Sequence, residues 1–291
     1  MSDINNLVLN RVFTKNTVRS FIEEHPDICY YTVIRRFIDD ITDKNNGQII
    51  SEIYERLDRK YRNEYFYKNT LLNKLLFGVH SPNTTTALIE VPINKSKADF
   101  IMINGKAMLY EIKTELDTFE RLASQLSDYY KAFPNVNVVT SEDNLQLIEK
   151  KLKNTNVGIY LLTKKRNTIK CIKPHIPDYS KLEYKILFKI LRKQEYKNIL
   201  EMKFGILPQV SDFDFYDECY KQFKKININE AYNMVVAELK KRNRIDVSLI
   251  KNIPSELRSV MYFSKFKKQD YEKLNIFLNK KIGENYVLSI S

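Results

Sequence analysis

The order of hydrophobic periods along the chain predicts an α/β fold: a mixed sheet built as α-β-β-β-α-β, with helical N-terminal and C-terminal extensions. Three observations carry the prediction. Apolar residues recur at helical spacing up to about residue 79. They then recur at every second position in short runs between about 87 and 113, and from there helix and strand alternate. Helical spacing takes over again from about 178 to the end.

In the first stretch, Ile49, Ile53, Leu57 and Tyr61 mark one helix face, and Phe66, Leu71, Leu72, Leu75 and Leu76 continue an apolar face until Gly78 offers a stop. Ala87 to Ile93, Ala98 to Ile103 and Met108 to Lys113 are short and rich in β-formers, and Asn104-Gly105 between the last two signals a hairpin. Residues 115 to 132 return to helix, with Phe119, Leu122, Leu126, Tyr130 and Phe133 as a core-facing stripe that Pro134 ends. NVNVVT (135 to 140) reads as a strand, 142 to 153 as a helix opened by Ser141 and Glu142, and GIYLLT (158 to 163) as a further strand. Tyr184, Leu187, Phe188 and Leu191 then share one face, and further helices are expected near 213 to 225, 228 to 242 and 268 to 279. With no repeat and no long Gly/Ser or Pro-rich linker, the changes of period divide the chain into a helical extension (1 to 50), a core (51 to 175) and a helical C-terminal module (176 to 291).

Composition bounds the function. A chain of 291 residues can bury a core without staples. It contains no apolar run near the ~18 residues that span a bilayer. MSDINNLVLN lacks the basic start and cleavage site of a secretory signal, so a cytoplasmic location is expected. Cys29, Cys171 and Cys219 are odd in number and far apart, which rules out a disulfide framework or a four-cysteine metal site, and they are read as buried free thiols. The net charge is +12, with +4 up to residue 170 and +8 over the shorter remainder. A basic surplus attracts polyanions, although a lysine-rich composition alone produces one.

The chemistry concentrates in two adjoining strands. In YEIKTE, Glu111 and Lys113 are two residues apart and so share one face of a half-buried sheet. Burying such charges is costly unless they pair or hold an ion. Asp99 interrupts the preceding strand, KADFIMI. A two-residue Asn104-Gly105 loop would set Asp99 opposite Tyr110 and put the two carboxylates on different faces. A three-residue loop, Asn104-Gly105-Lys106, pairs Ile103 with Ala107 and sets Asp99 opposite Glu111. We adopt the second register: it brings the carboxylates to roughly 5 Å between β-carbons, where repulsion calls for a cation, and oxygen-only ligation suits Mg²⁺ or Mn²⁺. On this reading, removing Glu111 relieves repulsion and takes away no apolar packing. Behind the strands, Asp117, Arg121, Gln125 and Tyr129 recur every four residues as a polar stripe. Such a stripe is commonly a solvated face, but Gln and Tyr can also hold a phosphate oxygen or a metal-bound water.

Asp99, then Glu111-Ile112-Lys113 on a hairpin, then Gln125-x-x-x-Tyr129 on the following helix, resembles the PD-(D/E)XK nuclease superfamily with its restriction-endonuclease-like fold. The run from NEYFYKN (63 to 69) through LIEVPI and YEIKTELDTFERLASQLSDYY is similar to a largely uncharacterised bacterial family within it that carries a Gln-x-x-x-Tyr helix. Ala98 stands where the superfamily name has proline. The resemblance implies metal-dependent hydrolysis of nucleic-acid phosphodiesters, DNA ahead of RNA, with Mg²⁺ or Mn²⁺ as cofactor. Asp99, Glu111 and the Ile112 carbonyl would be ligands, Lys113 would orient water or stabilise charge, and Gln125 and Tyr129 would assist. Glu64 is the candidate for an extra acidic ligand, in competition with Glu52, Glu55 and Glu90.

Other readings stand beside this one. The same fold could serve as a non-catalytic nucleic-acid-binding or regulatory subunit of a defence or recombination system, and the C-terminal helices could belong to a transcriptional regulator. A role in phage defence follows by analogy alone. A homodimer is compatible with the sequence. His25, His80 and His175 show no ligand spacing, and Tyr61, Tyr65 and Tyr67 read first as helix packing. Lys164-Lys165-Arg166 and Lys240-Lys241-Arg242 could contact phosphates or form solvated faces.

Overall fold

The computed structural model describes residues 8–243 and 246–282. In chain order its elements are α1 (Lys15–Ile22), α2 (Ile28–Phe37), α3 (Asn46–Lys60), α4 (Glu64–Leu71, running on as a π-helical stretch Leu72–Val79), β1 (Thr86–Ile93), β2 (Ser96–Asn104), β3 (Lys106–Lys113), α5 (Leu122–Tyr130), β4 (Asn135–Thr140), α6 (Leu145–Leu152), β5 (Gly158–Leu162) and β6 (Ile169–Lys173). There follow α7 (Tyr184–Lys189), α8 (Lys193–Phe204), α9 (Asp212–Phe223), α10 (Ile228–Lys240), α11 (Val247–Lys251), α12 (Arg258–Phe263) and α13 (Lys268–Asn279).

The sheet is six-stranded and mixed, with neighbours in sequence order. β1, β2 and β3 form an antiparallel meander, β3, β4 and β5 run parallel, and β6 turns back antiparallel on β5. The α/β class and the mixed sheet expected from the sequence are therefore observed. The parallel steps are made by α5 and α6, the two helices that the periodicity placed between strands. Leu88, Ile101, Ile103, Leu109, Val136, Val138 and Ile159 on one sheet face share a continuous core with Leu122 and Leu126 of α5, Phe133 just after it, Ile148 of α6, and residues of α7 to α10.

That last contact set departs from the three-part division expected from the sequence. The chain forms two compact units, 79–244 and 1–78 together with 245–291. The helices after residue 176 are not one module: α7 to α10 bury Leu187, Phe188, Leu200, Phe223 and Leu239 in the sheet's core. α13 instead returns to the N-terminal helices. Phe277 stacks on Phe21 at 4.7 Å between ring centroids. Asn46 Nδ2 donates to the Phe277 and Lys280 carbonyls while its Oδ1 accepts from Tyr30 Oη. Hydrophobic period distinguishes helix from strand but not which surface a helix will cover, and the division expected from it failed for that reason.

Two local expectations are corrected, and one strand was not foreseen. Residues 115 to 121 are turns, because the Asp117 carboxylate accepts from Thr114 N and Oγ1, both at 2.7 Å, and so holds the chain in a local alternative to helix. β6 had no clear signal, since IKCIK lacks a period of two and lies on an exposed edge. Cys219 is buried, but Cys29 is only half-buried and Cys171 is exposed. The tyrosine segment does pack: Tyr67 is fully buried and Tyr65 stacks on Phe13.

Candidate active site

The β2–β3 turn sets the register on which the site depends. Gly105 takes φ +71 between Asn104 and Lys106, which face each other, and Ile103 pairs with Ala107. This is the three-residue register. It continues as far as Phe100 opposite Tyr110, and the next step sets Asp99 opposite Glu111. There the side chain replaces the ladder, as Asp99 Oδ2 accepts from the Ile112 amide at 2.7 Å.

The same counting applies to β1 and β2. Ile89 pairs with Phe100 and Val91 with Ala98, so Glu90 stands opposite Asp99. Glu90 adopts φ +56, a left-handed backbone that a residue with a β-carbon enters at a cost of roughly 1–2 kcal/mol. Carboxylate oxygens of Glu90 and Asp99 lie within 4.8 Å of each other, and Glu90 also pairs with Lys97. Three acidic residues thus occupy one row across three strands, at the step where both ladders are broken.

Glu111 and Lys113 occupy the same face, as their spacing required. Glu111 is 1% exposed, and both its oxygens are engaged: Oε1 with Lys113 Nζ at 2.8 Å, Oε2 with Tyr129 Oη at 2.6 Å. Lys113 Nζ also donates to Gln125 Oε1 at 3.0 Å. Tyr129 Oη lies 2.9 Å from the Lys97 carbonyl, but its one proton is better given to the charged acceptor. Burial, and then the Glu111 carboxylate beside it, push the Tyr129 hydroxyl far above the usual tyrosine range, so it stays a donor at any working pH. The sequence therefore brought together Asp99, Glu111, Lys113, Gln125 and Tyr129.

The remaining candidates have partners of their own. Ile112 sits between Glu111 and Lys113 with its amide on Asp99. Asp117 caps Thr114, and Arg121 is the N-cap position of α5, so only Gln125 and Tyr129 of the expected stripe project from the helix. Glu64 opens α4 and pairs with Lys68, while Glu52 pairs with Lys44 and Glu55 with Arg59. Of the four competitors for the extra acidic position, Glu90 is the one carried by a strand of the sheet. Its place was legible: a two-residue Asn94-Lys95 turn pairs Ile93 with Ser96 and puts Glu90 across from Asp99. Sequence reasoning also missed Asp128. Burial raises its carboxyl, but hydrogen bonds from Asn94, Ser96 and Lys131 outweigh this and hold it below the usual range, fastening α5 to the β1–β2 turn.

The oxygens of Glu90 and Asp99 are spaced as two ligands of one hard cation could be, and an oxygen-only donor set fits Mg²⁺ or Mn²⁺. Beside them Lys113 offers a fixed positive charge and Gln125 and Tyr129 offer oriented polar groups.

Among known proteins, the family described as bacteriophage P4 protein cII matches residues 58–278. No curated protein matches the chain. A solved structure of a protein of unknown function from Silicibacter pomeroyi is similar over 42% of this chain and 82% of its own, at 12% identity and a TM-score of 0.28, too low for a fold assignment.

Proposed function

The chain belongs to the bacteriophage P4 protein cII family, and we propose that it acts as a divalent-metal-dependent nuclease of the PD-(D/E)XK type, hydrolysing nucleic-acid phosphodiesters with DNA as the preferred substrate. The observation that carries the reading is the row Glu90, Asp99 and Glu111 at the break in both ladders, with Lys113 two residues beyond. Strained backbone and clustered like charges persist in a fold only when something offsets their cost. An α-β-β-β-α-β order ending in a parallel strand is what a restriction-endonuclease-like core requires, and the sheet unit has that order from β1 onward.

Asp99 and Glu111 would hold Mg²⁺ or Mn²⁺, with Glu90 as the extra acidic ligand and the Ile112 carbonyl as a neutral one. The ion would supply Lewis acidity and a water of lowered pKa. Lys113 would stabilise charge on the phosphate and Gln125 would orient the water or a phosphate oxygen. Tyr129 would hold Glu111 in place by donating to it.

One observation favours the second reading, a non-catalytic nucleic-acid-binding subunit: both Glu111 oxygens are satisfied by protein groups without a metal. A single experiment separates the two. Labelled single- and double-stranded DNA and RNA are incubated with Mg²⁺, Mn²⁺ or EDTA. Cleavage that needs the metal and is lost in Asp99→Asn supports the nuclease; binding without cleavage in either metal sinks it.

A further inference from the structure

We propose that the tip of the β5–β6 hairpin is a second phosphate-binding surface, which holds the backbone of the nucleic acid to one side of the Asp99–Lys113 site. The inference rests on the nuclease reading and adds to it a surface that none of the site residues provides.

The segment 150–177 contains eight lysines and arginines and no acidic residue, so its charge is not balanced locally and must be satisfied by distant partners, water or a ligand. Two of the eight have structural work. Lys173 Nζ donates to the Leu152 and Thr155 carbonyls at the end of α6. Lys164 Nζ pairs with Asp143 at 2.7 Å, and its amide donates to Glu142. Lys165 and Arg166, at the tip itself, are exposed and form no ion pair among the described residues.

The tip is also placed beside the site. β3, β4 and β5 run parallel, so their C-terminal ends share one sheet edge, with Lys113 opposite Thr140 and Thr140 opposite Leu161. Asn144 Nδ2 donates to the Thr114 carbonyl at 2.8 Å, which ties the loop after β4 to the residue following Lys113. Asp143 in that loop then holds Lys164. The hydrogen bond with Asp143, together with the fields of Glu115 and Glu142, raises Lys164 above the usual lysine range, which again sets the tip near the end of β3.

The tip is held in shape as well as in place. Thr163 N donates to the Thr168 carbonyl, Thr163 Oγ1 donates to the Lys165 carbonyl at 2.8 Å, and Thr168 N donates to Thr163 Oγ1. Arg166 and Asn167 take φ +67 and +49. A glycine would enter that region without strain, and here an arginine occupies it instead, which puts a guanidinium-bearing residue at the apex. A planar guanidinium and a nearby ammonium are the groups that bind phosphate oxygens best.

The test compares two double variants that remove the same charge. K165A/R166A empties the tip, whereas K150A/K151A empties the C-terminal end of α6, at the opposite edge of the sheet. Affinity for fluorescein-labelled duplex and single-stranded DNA is measured by anisotropy in EDTA, between about 50 mM and 200 mM salt. Each lost phosphate contact lowers the slope of log affinity against log salt by ~0.9, so K165A/R166A should flatten it by about two while K150A/K151A stays near the parent. Equal slopes for K165A/R166A and the parent, or equal flattening in both double variants, overturn the proposal. A parent that binds no nucleic acid at any salt overturns the nuclease reading instead, and this inference with it.

Discussion

Glu111→Ala should destabilise the sheet unit, contrary to the relief of repulsion that the sequence alone suggests. The carboxylate is not waiting for a metal with its oxygens bare: Tyr129 Oη donates to one at 2.6 Å and Lys113 Nζ approaches the other at 2.8 Å. Hydrogen bonds to a charged group contribute about 1.5–3 kcal/mol each, and a buried partner left alone forfeits that contribution. Fallbacks exist, since Tyr129 can turn to the Lys97 carbonyl and Lys113 keeps Gln125. The lower value therefore applies to each bond, and the sum is about 3 kcal/mol. For a unit of this size each kcal/mol moves the melting temperature by ~2–4 °C, so a fall of roughly 6–12 °C is expected by calorimetry. Glu111→Gln, which keeps an acceptor for Tyr129, should fall in between. A double-mutant cycle with Tyr129→Phe should return a coupling of about 1–2 kcal/mol. Cleavage by Glu111→Ala should drop by on the order of a thousandfold or more. If Glu111→Ala melts within about 0.5 kcal/mol of the parent, the buried network is not what holds β3 to α5.

Three further outcomes follow from other parts of the fold. Arg242 pairs with Glu195 through Nε and Nη2 and donates to the Ile190 carbonyl, so Arg242→Ala should cost about 3 kcal/mol in urea unfolding. Burial raises the Glu195 carboxyl, but the Arg242 hydrogen bonds outweigh it and set the folded-state pKa below the usual value; its contribution is therefore present above the unfolded value and lost as pH falls through the folded one, and an acid titration of stability should lose this component in Glu195→Gln. Gly158→Ala would place a β-carbon 2.3 Å from Asn137 Oδ1 and 2.9 Å from the His175 amide, so a loss of roughly 1–3 kcal/mol is expected by thermal melting, and an unchanged midpoint would refute the close approach. A chain ending at residue 176 should fail to fold, seen as lost near-ultraviolet dichroism, because α7 to α10 complete the core over the sheet.

The sequence made the strands legible because they alternate, and the hairpin legible because Asn104-Gly105-Lys106 admits few turn geometries. From those two facts the Asp99–Glu111 alignment followed by counting. The same counting through Asn94-Lys95 would have found Glu90, but a carboxylate flanked by Ile89 and Val91 looks like the ordinary polar position of an edge strand. Asp128 was hidden for a different reason: its partners, Asn94 and Ser96, lie more than thirty residues away. Domain membership was least legible. α10 and α13 have similar apolar stripes, yet Tyr232 and Leu239 of one enter the sheet's core while Phe277 of the other stacks on Phe21.

The pairing of Phe21 with Phe277 also has a kinetic meaning. Because one unit is assembled from both arms of the chain, with residues 79–244 inserted between them, synthesis delivers its two parts at different times. Domains fold as they emerge, at ~5–20 residues per second of elongation, so the sheet unit can close first while α1 to α3 wait some tens of seconds or less for α13. During that interval Phe21, Tyr30 and Ile49 lack their cover, and the nascent N-terminal helices are the segment on which a holdase chaperone would act. Ribosome-stalled chains ending before and after α13 should therefore differ in protease sensitivity within 15–60 and not within 86–173.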